Sequence, residues 1–133
     1  MALTRDQILG IVDRKQKVVD VPEWGGEVII KEMSGADRAE YMASIIKFET
    51  NEKGEVVAEP DPANGDAKLL SYCLIDEDGN RLFTRDDIEA LGAKNGEVLE
   101  RLANEALNLN AIDKEAVDDA KGESEPTQNS DSI

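Results

Sequence analysis

The chain has 133 residues, in which 30 Asp and Glu outnumber 15 Lys and Arg, so its formal net charge at pH 7 is −15. This balance argues against binding to nucleic acid or to anionic membranes, because affinity for both comes largely from Lys and Arg. Histidine is absent, which excludes catalytic mechanisms that need an imidazole and most zinc sites.

The first predicted elements are a short helix and a β-hairpin. Thr4 followed three residues later by Gln7 is typical of a helix-capping box. Two β-branched runs flank the turn-forming sequence PEWGG and predict a hairpin from about Lys17 to Met33. Because two strands alone are marginally stable in water, we expect one face of the hairpin to pack against helices.

A second helix and a long loop are predicted next. Ser34 is a favourable N-cap residue, and apolar residues at helical spacing continue the helix to about Phe48. After Phe48 the apolar pattern is lost, and Asn, Gly and Pro become frequent. We therefore expect a mobile surface loop at about residues 49–65.

Three further helices are predicted, at residues 66–75, from Thr84 to Leu91, and from Gly96 to about Leu109. The last is the strongest, with apolar residues on one face and charged residues on the other. Together the elements predict a mainly helical α+β fold in a single domain, residues 1–112, with one N-terminal antiparallel β-hairpin.

The C-terminal segment has a different composition from the rest of the chain. No apolar pattern repeats after residue 112, and acidic residues dominate the polar sequence that follows. Such a segment cannot bury enough apolar surface to offset the entropy of ordering it. We therefore expect residues 113–133 to form a disordered acidic tail.

Two motifs that resemble chemical sites have simpler structural interpretations. Asp76, Asp78 and Asn80 occupy the first, third and fifth positions of a calcium loop, but Arg81 replaces the glycine required at the sixth. An Asp-Gly turn is the favoured interpretation. Cys73 lies among leucines with no base near it in sequence, which is typical of a buried residue rather than a catalytic thiol. We expect no enzymatic activity, no metal and no cofactor.

Two features are candidates for binding a partner protein. Trp24 is the only tryptophan and lies in the predicted hairpin turn; it either folds over the edge of the core or is an exposed anchor for a partner. The apolar face of the helix from Gly96 also has two interpretations, a core face or a groove for an apolar helix. The candidate partner-binding residues are Trp24, Leu99, Leu102 and Ala106.

Three blocks of sequence occur in a suggestive order. The first is VPEWGG followed by VII and KEMS (21–34), the second is LIDEDG (74–79) followed by LFT, two aspartates and Leu91, and the third is LNLN (107–110). In this order and spacing, over roughly residues 17–110, the chain resembles the tail assembly chaperones of long-tailed, lambda-like and HK97-like bacteriophages.

The resemblance implies a non-enzymatic protein that binds the long, helical tape measure protein and keeps it soluble until the tail tube assembles around it. It also implies contact with the tail-tube protein, and it leaves homo-oligomer formation open. Location in the cytoplasm of the infected bacterial host and absence from the mature virion follow from the same resemblance. High net charge suits this role, because it would hold a complex with an apolar helix in solution.

Two other classes of function stay open on the sequence alone. An acidic protein can mimic DNA and inhibit a nucleic-acid-binding protein, if its carboxylates are spaced like phosphates along a rigid face. A small calcium-responsive domain is the second alternative, based on the acidic run that begins at Asp76.

Overall fold

A computed structural model of the chain describes residues 1–61 and 63–112. The predicted acidic tail at 113–133 lies outside the described residues. The described part contains two single-turn 3₁₀ helices, at Pro22–Trp24 and Arg85–Asp87. The α-helices are α1 (Arg5–Gly10), α2 (Gly35–Ser44), α3 (Gly65–Cys73), α4 (Ile88–Gly92) and α5 (Gly96–Leu109). The strands are β1 (Gln16–Val21), β2 (Gly26–Lys31), β3 (Ile46–Thr50), β4 (Val56–Pro60) and β5 (Leu74–Ile75).

The predicted N-terminal hairpin is confirmed and is part of a three-stranded sheet. Strands β1 and β2 pair in antiparallel register with Val18 opposite Ile29, and β5 pairs with the other edge of β2. Gly25 closes the turn with a φ of 76°, a left-handed conformation that favours glycine. The mixture of helices with this hairpin confirms the predicted α+β class.

Side-chain caps explain where three of the helices begin. The Thr4 hydroxyl accepts a hydrogen bond from the Gln7 backbone N–H at 3.2 Å, and Ser34 caps α2 in the same manner. Asn95 accepts from the Val98 N–H at 3.0 Å and fixes the start of α5 at Gly96. Each cap satisfies a backbone donor that the first helical turn leaves without a partner.

The hydrophobic core lies between α5 and the three-stranded sheet, with α3 packed against α5 and α2 packed against α3. Tyr41 of α2 meets Tyr72 of α3 edge-on, with ring centroids 6.4 Å apart. Cys73 is fully buried, as predicted, and desolvation raises the pKa of its thiol to about 12. Fully buried aliphatic side chains complete the core, among them Ile30, Ile45, Leu69, Leu70, Val98 and Leu102.

We expect the thiol of Cys73 to be unreactive toward an aromatic disulfide reagent at pH 8 in the native protein. Burial blocks the reagent, and the raised pKa of Cys73 keeps its thiol protonated. A colorimetric thiol assay before and after addition of denaturant measures the effect. Rapid reaction of one thiol without denaturant would contradict this packing.

The structure corrects the predicted loop at 49–65. Helix α2 ends at Ser44, and β3 and β4 form a second antiparallel hairpin with Phe48 opposite Ala58. The side chain of Asn51 accepts hydrogen bonds from two backbone N–H groups of the turn, at 2.9 Å each. Phe48 and Val56 are apolar but exposed. These strands therefore have no buried face that a pattern of apolar residues could indicate.

Candidate partner-binding site

An apolar groove opens beside the turn of the first hairpin. Its walls are the Trp24 ring, Phe83 and one side of α4, and its volume is about 390 Å³. Trp24 keeps 37% of its surface exposed, so it partly covers the edge of the core and partly faces solvent. Its position is thus intermediate between the two interpretations, and its role as an anchor for a partner stays a prediction. The residues that line the groove are Trp24, Phe83, Ala90, Leu91 and Lys94.

The turn that carries Trp24 is fixed to α5 by an ion pair. The Arg101 guanidinium donates to both carboxylate oxygens of Glu23, at 2.8 and 2.7 Å. This two-point geometry sets the orientation of the turn as well as its distance from the helix. The hydrogen bond from Arg101 lowers the pKa of Glu23 to about 2. The pair thus connects the residue next to Trp24 to α5.

We expect the Glu23–Arg101 pair to make a pH-dependent contribution to stability. Because the pKa of Glu23 is lower in the folded chain than in the unfolded chain, the contribution is complete above about pH 4.5 and is lost as the pH falls toward 2. The loss in melting temperature caused by Arg101→Gln should therefore be largest near pH 7 and vanish near pH 2.

Thermal unfolding from pH 2 to 7 measures this difference, with Lys53→Gln as the control. Lys53 is an exposed cation in the turn of the second hairpin, so its replacement removes the same charge without touching the Trp24 turn. A difference between wild type and Arg101→Gln that stays constant with pH would show that the ion pair does not form.

The structure separates the four predicted partner-binding residues. Trp24 is at the surface, whereas Leu99 is 5% exposed and Leu102 and Ala106 are fully buried. The apolar face of α5 packs against α3 and the sheet. The core interpretation of this face therefore holds, and the alternative of an open groove along it is wrong for the folded domain.

Sequence reasoning missed the groove walls and one buried polar residue. Phe83 and Leu91 belong to segments that meet Trp24 only in the tertiary structure. Asn110 is 3% exposed, and its side-chain oxygen accepts the Met33 N–H at 2.8 Å while its NH₂ donates to the Ala106 carbonyl at 2.8 Å. Asn110 thereby connects the end of α5 to the chain after β2.

The acidic turn at Asp76 uses its oxygens within the chain. Asp76 Oδ1 accepts the backbone N–H groups of Asp78 and Asn80 at 2.8 and 2.9 Å, and Gly79 takes a φ of 92°. Within residues 1–61 and 63–112, no three acidic or cysteine side chains are grouped so as to hold a metal ion. The favoured Asp-Gly turn is the observed structure.

A second apolar surface lies at the N-terminus. No residue of α1 is buried, so nothing within residues 1–61 and 63–112 covers its apolar face. Large exposed apolar patches in proteins mark contact surfaces. In the part of the chain that the structure describes, no helix has the length and apolar content of a membrane span. The exposed apolar residues in and around α1 are Leu3, Ile8, Leu9, Ile11 and Val12.

Comparisons with known proteins give two findings. Residues 12–123 match the model of a family described as phage tail assembly chaperone, and this range includes every residue of the groove but not α1. The solved structure of the bacteriophage HK97 tail assembly chaperone is similar, with a TM-score of 0.53 and 25% sequence identity over 78% of this chain and 90% of that chain. A comparison with curated protein sequences gives no significant match.

Proposed function

The chain belongs to the phage tail assembly chaperone family, and from that premise we propose that it binds the tape measure protein and keeps it soluble during tail assembly. The groove around Trp24 is the contact site, and its ligand is an apolar helical segment. Members of the family are generally non-enzymatic, which fits a protein that acts by binding alone.

The observation that carries this proposal is a partly open tryptophan in an apolar groove on a strongly acidic chain. The groove offers Trp24, Phe83 and Leu91 as apolar contacts, and tryptophan is enriched among the residues that dominate binding energies. Burial of apolar helix surface there supplies affinity. Because of the net charge of −15, the complexes repel one another and stay in solution.

The chaperone holds the tape measure protein stoichiometrically in this proposal, and it does so without a reaction cycle. The sequence contains no Gly-rich phosphate-binding loop followed by a Lys and a helix. ATP hydrolysis therefore does not drive release of the tape measure protein. Release follows instead when tail-tube subunits polymerise on the tape measure protein. The tail-tube protein and a second copy of this chain are the further partners. The complex forms in the host cytoplasm, and the chaperone is absent from the finished virion.

Co-expression tests the proposal directly. The tape measure protein of the same phage should move from the insoluble to the soluble fraction when the wild-type chain is co-expressed, and the two should co-purify. Trp24→Ala should weaken this effect, whereas Phe48→Ala should preserve it, because Phe48 is an exposed aromatic residue outside the groove. A tape measure protein equally insoluble with and without the chain would contradict the proposal.

A further inference from the structure

A cationic pocket lies between α2, α3 and the segment 81–88. Its volume is about 710 Å³, within the size range of ligand sites. Three cations, Lys68, Arg81 and Arg85, line it against a single acid, Glu40. In the whole chain acids outnumber bases two to one, so the local charge is opposite in sign to that of the molecule.

Arg81 is held in one orientation by two contacts. Its Nε donates to the Ser71 carbonyl at 2.8 Å, and its guanidinium carbon lies 4.5 Å from the centre of the Tyr72 ring. Within residues 1–61 and 63–112 its two terminal nitrogens have no hydrogen-bond acceptor. A guanidinium fixed in this way presents a two-pronged donor and loses little entropy when it binds a carboxylate.

The other charged groups of the pocket favour an anion as well. Arg85 makes no side-chain hydrogen bond or ion pair within the described part of the chain. Lys68 is only 14% exposed, and its ammonium donates to the Ser44 carbonyl at 2.9 Å and to the Asp61 carboxylate at 3.4 Å. Arg81 and Arg85 are therefore the cations of the pocket that a ligand can engage. Glu40, the one acid that lines the pocket, accepts the Tyr72 hydroxyl at 2.7 Å, so its carboxylate is already engaged by a donor.

We propose that this pocket binds a carboxylate side chain of the protein partner, next to an aliphatic side chain of the same segment. Arg81 and Arg85 bind the carboxylate, and Ala43 and Ile88 provide the apolar wall. The negative charge of the chain as a whole disfavours free anions at long range, whereas a partner segment can combine one acid with apolar or basic neighbours.

The pocket adjoins the Trp24 groove. Phe83 lines the groove and the next residue, Thr84, lines the pocket; in α4, Ile88 lines the pocket and Leu91 lines the groove. Consecutive Cα atoms are only about 3.8 Å apart, so one partner can engage both sites. In this respect the inference rests on the proposed binding of the tape measure protein and adds an acidic residue to the segment recognised.

Variants of the full chain test the pocket. Arg85→Gln and Arg81→Gln should each weaken calorimetric binding of the tape measure protein at least tenfold, and Arg14→Gln, an exposed arginine outside the pocket, should change it less than twofold. Thermal melts establish that each variant is folded. Equal affinities for Arg85→Gln and Arg14→Gln would overturn the inference while leaving the proposed function intact.

A second probe makes the test independent of the tape measure protein. A capped peptide with one glutamate between two leucines should shift the Nε–H NMR signal of Arg81 saturably, and the matching glutamine peptide should not. If the wild-type chain fails to bind the tape measure protein, the proposed function is wrong and this peptide alone decides the pocket. Equal shifts with both peptides, no shift, or an equal shift with inorganic phosphate would overturn the carboxylate assignment.

Discussion

Replacement of Leu102 by alanine should lower the free energy of unfolding by about 3 kcal/mol, in the middle of the range for Leu→Ala in a packed core. Leu102 is fully buried on the face of α5 that packs against α3 and the sheet. Its truncation leaves a cavity that the surrounding helices fill only in part. Urea denaturation followed by circular dichroism measures the change.

Leu82→Ala is the matched control for this measurement. Leu82 is 47% exposed, so its truncation should cost less than about 1 kcal/mol. A Leu102→Ala variant as stable as the control would place the α5 face outside the core. Weaker partner binding without loss of stability would then restore the interpretation of Leu102 as a contact residue.

Trp24→Ala should weaken binding of the tape measure protein by about 2 kcal/mol, which is about 30-fold in Kd. The ring forms one wall of the groove, and its exposed part is available to a ligand. The same change should lower stability by only about 1 kcal/mol, because much of the ring is already in contact with solvent in the free protein. Calorimetry and urea denaturation of the same samples separate the two effects.

Phe48→Ala and a salt titration complete this experiment. Phe48 lies on β3 outside the groove, so its removal should leave the affinity within twofold of wild type. Affinity should also survive ~0.5 M salt, because buried apolar contacts are not screened as exposed charge pairs are. A Trp24→Ala variant that loses about 3 kcal/mol of stability but binds normally once folded would show that the ring stabilises the core and does not bind the partner.

Local signals in the sequence predict most of the helices and the first hairpin. The caps at Thr4, Ser34 and Asn95 act within four residues, and the turn between β1 and β2 is marked by proline and glycine. Such features depend only on residues close together in the chain, so they can be recognised from the sequence without knowledge of the fold.

The second hairpin and β5 depend on information that the local sequence lacks. Ile46 and Phe48 continue the apolar spacing of α2, and only the pairing with β4 shows that the chain has left the helix. Strand β5 has two residues and exists because β2 offers an edge to Leu74 and Ile75. The pairing of β5 with β2 joins residues 40 or more positions apart, and it is set by tertiary packing rather than by local propensity.

The candidate site likewise combines a residue that the sequence indicates with residues that only the tertiary structure brings next to it. Trp24 is recognisable as a single tryptophan in a turn, but the walls of its groove come from Phe83 and α4, far away in sequence. Leu102 shows the converse, because an amphipathic helix has the same pattern whether a partner or its own domain covers the apolar face.

The single tryptophan allows binding in the groove to be measured directly, because all tryptophan fluorescence of the chain comes from Trp24. A helical tape measure segment, with any tryptophan of its own replaced by phenylalanine, is titrated into the protein while emission and heat are recorded. Binding in the Trp24 groove should give a blue shift and reduced quenching by acrylamide, both saturating with the heat of binding. Heat that saturates while the emission of Trp24 stays unchanged would place the binding site elsewhere.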